Sequence, residues 1–130
     1  MERESNRTRP CGIGVDIVSV DRIRRAHLRW GKRFLERIFT EEEVCYCFSL
    51  ANPYPSLAAR FAGKEAVAKA IGCGFGRRLT FLSLSITHGG DGIPEVKFVG
   101  EKQPDCGTFL ISLSHTDEYA IAQVLRFGSD

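Results

Sequence analysis

The strongest constraint on the fold comes from residues 58–72, a segment of helical pattern that reads AARFAGKEAVAKAIG. At 3.6 residues per turn, one side of this helix gathers apolar side chains, namely Leu57, Phe61, Ala68 and Ile71. Lys64 projects into the middle of that apolar sector, and Glu65 lies at its edge. A charge buried without a partner costs several kcal/mol. The pattern therefore requires a compensating group, which is a metal ion, a phosphate or a buried ion pair.

Length and composition predict a single globular domain. The 130-residue chain is divided into a flexible leader at residues 1–11 and one domain at residues 12–130. With 43% apolar and 26% charged residues, the composition is ordinary, and no apolar run reaches the length of a membrane span. Five cysteines at unpatterned spacings are interpreted as free thiols, which favours a cytoplasmic protein.

Charge is distributed unevenly along a chain whose formal net charge is only +2. Residues 1–37 carry ten Lys and Arg against five Asp and Glu, whereas residues 38–130 carry eight against eleven. A basic end on a near-neutral protein indicates a local acidic partner rather than general binding of polyanions. The short helix predicted at residues 21–30 contributes Arg22, Arg24, Arg25 and Arg29.

The order of the other patterns predicts an α+β domain, in which an N-terminal strand precedes several helices and then antiparallel strands. The first strand is expected at residues 12–19, and a capping box at Thr40 and Glu43 opens a short helix. A proline-rich break follows, and Ser56 is expected to cap the long central helix. Further strands are predicted at residues 82–87, 95–99, 109–114 and 119–126.

Two carboxylates occupy settings typical of a protein core. Asp16 lies within the apolar first strand, and Glu65 lies on the buried edge of the long helix. Together they could share a Mg²⁺ ion, which prefers one or two carboxylates with waters and phosphate oxygens. The alternative is two ion pairs, Asp16 with Arg22 and Glu65 with Lys69. Spacing alone slightly favours the ion pairs.

Basic residues on or beside the long helix favour binding of an anion, and they are Arg60, Lys64, Lys69, Arg77 and Arg78. The glycine-rich segment 72–76 lies between them, and its main-chain amides would add donors for a phosphate. Its spacing is not that of a P-loop. The alternative is a solvated basic helix face followed by a flexible helix end.

A histidine near the C-terminus is the other candidate for phosphate recognition. His115 follows two serines at a predicted strand end and precedes Thr116. These hydroxyl neighbours suit contact with a phosphate better than nucleophilic attack, since no G-x-S-x-G elbow is present. The alternative is a histidine with a structural role only.

Three blocks of sequence occur in a fixed order: GIGVDIVSVDRI near the N-terminus, FAGKEAVAKAIGCG in the long helix and SLSHTDEYAIAQV near the C-terminus. In this order they resemble the holo-[acyl-carrier-protein] synthases, the small trimeric class of 4′-phosphopantetheinyl transferases. The resemblance covers residues 12–126. It implies a Mg²⁺-dependent enzyme that transfers 4′-phosphopantetheine from coenzyme A to a serine of apo acyl carrier protein. Release of 3′,5′-ADP and a role in fatty acid biosynthesis are implied with it.

The resemblance also implies roles for single residues. Asp16 and Glu65 would bind Mg²⁺, and Lys64 would stabilise charge beside the diphosphate, which makes these three the catalytic set. Whether Asp16 or a metal-bound water takes the serine proton stays open. The implied contacts to coenzyme A are Arg22, Arg60, Lys64, Lys69, Gly72, Gly74, His115 and Thr116, of which the last two would come from a neighbouring subunit of a homotrimer.

The resemblance gives the basic helix a specific partner. Acyl carrier proteins are acidic, so the expected docking surface is the set Arg22, Arg24, Arg25 and Arg29. Neither nucleic acid nor a membrane is expected as a partner. The alternative function is a non-enzymatic basic module that binds an acidic protein or nucleic acid through residues 22–37.

Overall fold

The computed structural model describes residues 9–72, 79–100 and 106–128. The strand-first order and the α+β class predicted from the sequence are confirmed. In chain order the elements are β1 (Pro10–Ser19), α1 (Val20–Trp30), α2 (Lys32–Ile38), α3 (Glu41–Phe48), α4 (Tyr54–Ile71), a 3₁₀ turn (Phe81–Ser83), β2 (Leu84–His88), β3 (Pro94–Phe98), β4 (Thr108–His115) and β5 (Tyr119–Phe127).

The strands form two antiparallel sheets. β5 lies in the centre of the larger sheet, between β1 and β4, and β2 pairs with β3 in the smaller one. In the larger sheet Asp16 is opposite Ala122, which in turn is opposite Leu113. Because side chains alternate along a strand, the face that carries these three packs on α4. The opposite face exposes apolar side chains, namely Ile13, Val15, Ile17, Leu110 and Ile121.

Helix α4 runs through the centre of the molecule and is buried on almost every side. The sequence predicted one buried side for this helix, whereas the structure buries nearly its whole circumference. One cluster of buried side chains lies between α4 and the other helices, and it includes Val20, Ile23, Leu35, Phe39 and Leu57. A second cluster lies between α4 and the strands, and it includes Val67, Leu79, Leu84, Ala122 and Val124.

Two helices differ from the prediction: α2 is an additional helix, and α4 begins earlier than expected. Gly31, with a φ of 62°, ends α1 and directly precedes α2, a helix that the sequence pattern did not indicate. Helix α4 begins at Tyr54 rather than after Ser56, since proline fits the first turn of a helix, where its missing N–H is not needed. The Ser56 hydroxyl instead accepts a hydrogen bond from Arg60 at 2.6 Å.

The capping box at the start of α3 is confirmed. The Glu43 amide donates to the Thr40 hydroxyl at 3.3 Å, and the Thr40 amide donates to Oε1 of Glu43 at 2.9 Å. Strand β1 begins at Pro10, inside the segment expected to form the leader.

Candidate active site

Two carboxylates lie near each other where β1 packs against α4. Asp16 is on the inner face of β1, beside Lys69 of α4, and Glu65 lies about one turn before Lys69 on that helix. The charge of Asp16 contributes to the raised pKa of Glu65. The close packing depends on glycine, because a Cβ atom at Gly14 would overlap the carbonyl oxygen of Ala66. The strand and the helix thus bring together two acidic residues that are distant in sequence.

The pKa of Glu65 is raised above its ordinary value of 4.5. The main cause is partial burial, which penalises the charged form, and the neighbouring Asp16 carboxylate adds to it. Lys69 acts in the opposite direction. A further positive charge at this position would be stabilised by both carboxylates.

The ion pair that Asp16 forms at this site differs from the pair with Arg22 that was considered from spacing. The Lys69 ammonium lies 3.3 Å from Oδ1 of Asp16 and donates a hydrogen bond to the Val15 carbonyl at 2.9 Å. Asp16 therefore pairs with Lys69 rather than with Arg22. The Lys69 side chain is 54% exposed, and such exposed pairs contribute little to stability.

Lys64 points away from this site, into the interior. Its ammonium lies 2.6 Å from Oε1 of Glu43, and both side chains are 0% exposed. It also donates to the carbonyl oxygens of Ile38 at 2.7 Å and Phe81 at 2.8 Å. Burial lowers the pKa of Lys64, whereas the Glu43 carboxylate acts to raise it. Of the three compensating groups considered for this lysine, the structure shows a buried ion pair.

Arg60 is buried in a separate polar cluster. Its guanidinium lies 3.2 Å from Nδ1 of His88 and 4.6 Å from the ring centroid of Tyr46. These side chains and Thr87 help to line an open pocket of about 370 Å³. Within the described residues, Nε of Arg60 and Oγ1 of Thr87 are buried without a hydrogen-bond partner. Burial and the nearby Arg60 lower the pKa of His88. Both atoms are enclosed within the protein, so neither is exposed to the pocket.

His115 and Thr116 lie apart from the carboxylates. Asp16 is on β1 and His115 is on β4, which are the two edge strands of the larger sheet. With β5 between them, these two strands lie about 10 Å apart. The Thr116 hydroxyl accepts hydrogen bonds from the amides of Glu118 and Tyr119, both at 3.1 Å. Its own hydrogen stays free to donate, since a hydroxyl accepts twice and donates once.

The glycine-rich segment is described only at its first residue. Gly72 ends α4 in the left-handed conformation, with a φ of 87°, and its amide donates to the Ala68 and Lys69 carbonyls. Gly74, Arg77 and Arg78 lie outside the described residues.

The basic helix α1 presents its arginines to solvent, but two of them are already paired. Asp21 lies 2.5 Å from Nη2 of Arg24 and 2.9 Å from Nε of Arg25. The hydrogen bond from Arg24 is the main cause of the lowered pKa of Asp21. Arg22 and Arg29 are exposed as well. Beyond this helix, a groove of about 400 Å³ is lined by Trp30, Arg33, Phe34, Arg37 and Ile38.

Sequence reasoning missed three residues of these clusters, namely Glu43, Tyr46 and His88. Glu43 was predicted only as part of a capping box, and nothing in the sequence indicated that its carboxylate also pairs with Lys64. Tyr46 and His88 carried no pattern of their own. They become neighbours of Arg60 only because α3 and β2 both pack against α4.

Three further observations concern possible metal ligands, membrane-spanning helices and cysteines. Within the described ranges, no group of three or more His, Cys, Asp or Glu side chains is arranged to hold a metal ion. In the same part of the chain, no helix combines the length and apolarity needed to cross a membrane. The described cysteines Cys11, Cys45 and Cys47 are free thiols, as predicted.

Residues 12–124 match the 4′-phosphopantetheinyl transferase superfamily, and the chain belongs to this family. Within the family it is similar to the holo-[acyl-carrier-protein] synthases. That of Chlamydia trachomatis is 46% identical over 117 residues, which cover 85% of this chain and 94% of that protein. That of Thermodesulfovibrio yellowstonii is 46% identical over 114 residues, which cover 88% and 96%. The family predicted from the three sequence blocks is confirmed.

Solved structures of such synthases share the fold. A holo-(acyl-carrier-protein) synthase from Bacillus anthracis, in complex with CoA (3′,5′-ADP), has a TM-score of 0.78 at 34% identity and covers 92% of this chain and 98% of its own. The Helicobacter pylori holo-[acyl-carrier-protein] synthase in complex with coenzyme A has a TM-score of 0.78 at 34% identity, with coverage of 88% and 98%.

Proposed function

We propose that this protein transfers 4′-phosphopantetheine from coenzyme A to a serine of apo acyl carrier protein and releases 3′,5′-ADP. The observation that carries the proposal is the juxtaposition of Asp16 and Glu65 at the contact of β1 with α4. It occurs in a chain that is 46% identical over 117 residues to a holo-[acyl-carrier-protein] synthase. The product would serve fatty acid biosynthesis in the cytoplasm.

Asp16 and Glu65 are proposed to hold a Mg²⁺ ion. Two carboxylates are the number of protein ligands that Mg²⁺ commonly takes, with waters and substrate phosphate oxygens in its other positions. Burial is the main cause of the raised pKa of Glu65, and the charge of Asp16 adds to it. This added repulsion supports the assignment, since a cation would offset it. When bound, Mg²⁺ supplies stabilisation of the negative charge on the diphosphate oxygens.

Coenzyme A is proposed to bind beside the two carboxylates, at the contact of β1 with α4. Lys69 lies beside the carboxylates and is more than half exposed, which suits contact with the diphosphate. Arg22 lies in the first turn of α1, directly after β1. Arg60, which the family resemblance also implies as a contact, lies on the opposite side of α4, against His88 and Tyr46. Gly74 is proposed to add a main-chain amide, whereas the amide of Gly72 is already used at the end of α4.

The transfer exchanges one P–O bond for another. The serine oxygen attacks the β-phosphorus of coenzyme A, and the bond from that phosphorus to the bridging diphosphate oxygen breaks. The bridging oxygen leaves with 3′,5′-ADP, and the serine proton passes to a base, for which Asp16 is the candidate on this chain. Fixed positive charge at Lys69 stabilises the diphosphate oxygens throughout, which is the usual main contribution in phosphoryl transfer.

The active enzyme is proposed to be a homotrimer. Exposed Ile13, Val15 and Ile17 form an apolar stripe on the outer face of β1, and such contiguous patches are typical of protein interfaces. Association through this face would allow His115 and Thr116 of a neighbouring copy to reach the nucleotide. Their separation from Asp16 within one chain agrees with such a shared site.

The carrier protein is proposed to dock on α1. Arg22, Arg24, Arg25 and Arg29 give this helix a positive surface, and acidic carriers would be steered to it. The adjoining groove beside Trp30 and Phe34 combines apolar walls with two arginines, so it suits a mixed acidic and apolar helix face. This arrangement would fix the orientation of the incoming serine more than it adds affinity.

A transfer assay tests the proposed function. The protein is incubated with coenzyme A, Mg²⁺ and an apo acyl carrier protein, and the carrier is then analysed by intact mass spectrometry. The expected result is a phosphopantetheine adduct together with 3′,5′-ADP. A carrier whose acceptor serine is replaced by alanine is the control. Binding of the carrier without an adduct would reject the enzyme and favour a non-enzymatic basic module.

A further inference from the structure

The buried pair of Glu43 and Lys64 connects several elements around one point. Oε1 of Glu43 accepts from the Thr40 amide at 2.9 Å, and Oε2 accepts from the Ile86 amide at 2.8 Å. Lys64 donates hydrogen bonds to the carbonyl oxygens of Ile38, at the end of α2, and of Phe81, in the 3₁₀ turn. One carboxylate and one ammonium thereby join α2, α3, α4, β2 and the 3₁₀ turn.

The Lys64 ammonium is fully used in this network. It has three protons, and it has three acceptors: Glu43 at 2.6 Å, Ile38 at 2.7 Å and Phe81 at 2.8 Å. Its side chain is 0% exposed. A phosphate could reach the ammonium only if one of these bonds broke and the surrounding elements opened.

The same network fixes the rotation of α4. On one side the helix is held against β1, where a Cβ at Gly14 would overlap the Ala66 carbonyl. On the other side it is held by the Glu43–Lys64 pair. Glu65 directly follows Lys64 in the helix, about 100° further round, so its direction towards Asp16 is set by both contacts.

We infer that Glu43 and Lys64 are positioning residues, which hold Glu65 opposite Asp16 for the metal and make no contact with coenzyme A. The inference rests on the proposed function and specifies it further: Lys64 acts through Glu65, not on the diphosphate. It assigns a role to Glu43, which lies outside the predicted site. Outer residues that orient metal ligands commonly change metal affinity by about 10- to 100-fold when replaced.

The test compares Glu43→Gln, Lys64→Met and the double variant. Exposed residues provide matched controls, Glu41→Gln in the first turn of α3 and Lys97→Met in β3. Mn²⁺ binding is measured by electron paramagnetic resonance without coenzyme A, and the KM for coenzyme A is measured at saturating Mg²⁺. Circular dichroism reports which variants fold. The double variant leaves no unpaired buried charge, so it keeps the test available if a single variant does not fold.

A weakening of Mn²⁺ binding by about tenfold in each folded variant is expected. The KM for coenzyme A is expected to stay within about twofold of wild type, and the double variant is expected to lose no more affinity than the single variants, since the pair acts as a unit. A clear rise in the KM for coenzyme A overturns the inference, and so does unchanged Mn²⁺ binding. If the wild-type protein transfers nothing, the proposed function fails, whereas the Mn²⁺ comparison still decides the positioning role.

Discussion

The backbone of Gly14 in β1 lies directly against the carbonyl oxygen of Ala66 in α4, with no room for a side chain between them. Gly12 meets the following turn of the same helix in the same way. These contacts set the distance between the strand and the helix. They thereby set the distance between Asp16 and Glu65, which project from the two elements.

Replacement of Gly14 by alanine is expected to destabilise the protein by about 3 kcal/mol, because the added methyl group forces β1 away from α4. Urea denaturation followed by circular dichroism measures the change. Gly90→Ala is the matched control, since a Cβ at that exposed position meets nothing within 4 Å. Its effect is expected to stay within about 0.5 kcal/mol. Equal losses in the two variants would contradict the close contact.

Replacement of Glu65 by glutamine is expected to abolish transfer and yet stabilise the metal-free fold at neutral pH. The folded-state pKa of Glu65 lies above its ordinary value of 4.5, so the folded protein binds this proton more tightly than the unfolded chain. Stability therefore falls as the pH rises through that raised pKa. The variant avoids this cost, and its Tm is expected to rise by about 1–3 °C at pH 7, a small gain because solvent screens the charge.

The gain should disappear below pH 4.5, where Glu65 is protonated in both states. This dependence is measured by thermal melts with a chelator present, at roughly one-unit steps from about pH 4 to about pH 8. Glu36→Gln, at an exposed position on α2, is the control. A variant that is less stable than wild type at pH 7 would show that Glu65 belongs to a stabilising ion pair.

Replacement of Asp21 by asparagine is expected to improve use of an acidic carrier protein. Asp21 now neutralises Arg24 and Arg25, and its removal exposes their full charge. The KM for the carrier is expected to fall by about two- to fivefold at low salt and to match wild type at high salt, where exposed charges are screened. Steady-state kinetics at two ionic strengths measure the effect. An unchanged KM at low salt would exclude this part of α1 from docking.

Mixing of two inactive variants tests the shared site. Asp16→Asn removes a proposed metal ligand, and His115→Ala removes the contact proposed to come from a neighbouring copy. When the two variants are refolded together in equal amounts, about a quarter of wild-type activity is expected. In random assembly, about half of the sites have an intact Asp16, and about half of those also receive an intact His115 from the neighbouring copy. Restoration is expected to fail when both variants also carry Val15→Lys, which places a charge in the exposed apolar stripe. Sedimentation should then show monomers, and trimers in that sample would contradict the proposed interface.

Much of the fold was predictable from local patterns. The capping box at Thr40 and Glu43, the first strand and the order of the elements follow from short-range preferences and appear in the structure. Helix α2 was missed because it is only seven residues long and carries mixed charges. The division of the strands into two sheets also escaped prediction, since pairing between distant strands leaves no local signal.

The site was predictable in its members more than in its contacts. Asp16 and Glu65 stood out as charges in apolar patterns, and the structure brings them together. Lys64 stood out for the same reason, but its partner is Glu43, on another helix, rather than a neighbour along the chain.

By itself, therefore, the sequence determined the α+β class, the family and the need of Lys64 and Glu65 for compensating charge. Only the tertiary structure decided which charges pair, because α4 is enclosed by β1, α3 and β2 at once. Periodicity specifies which side of a helix is buried, but it does not contain the packing that turns Lys64 to Glu43 and leaves Glu65 to Asp16.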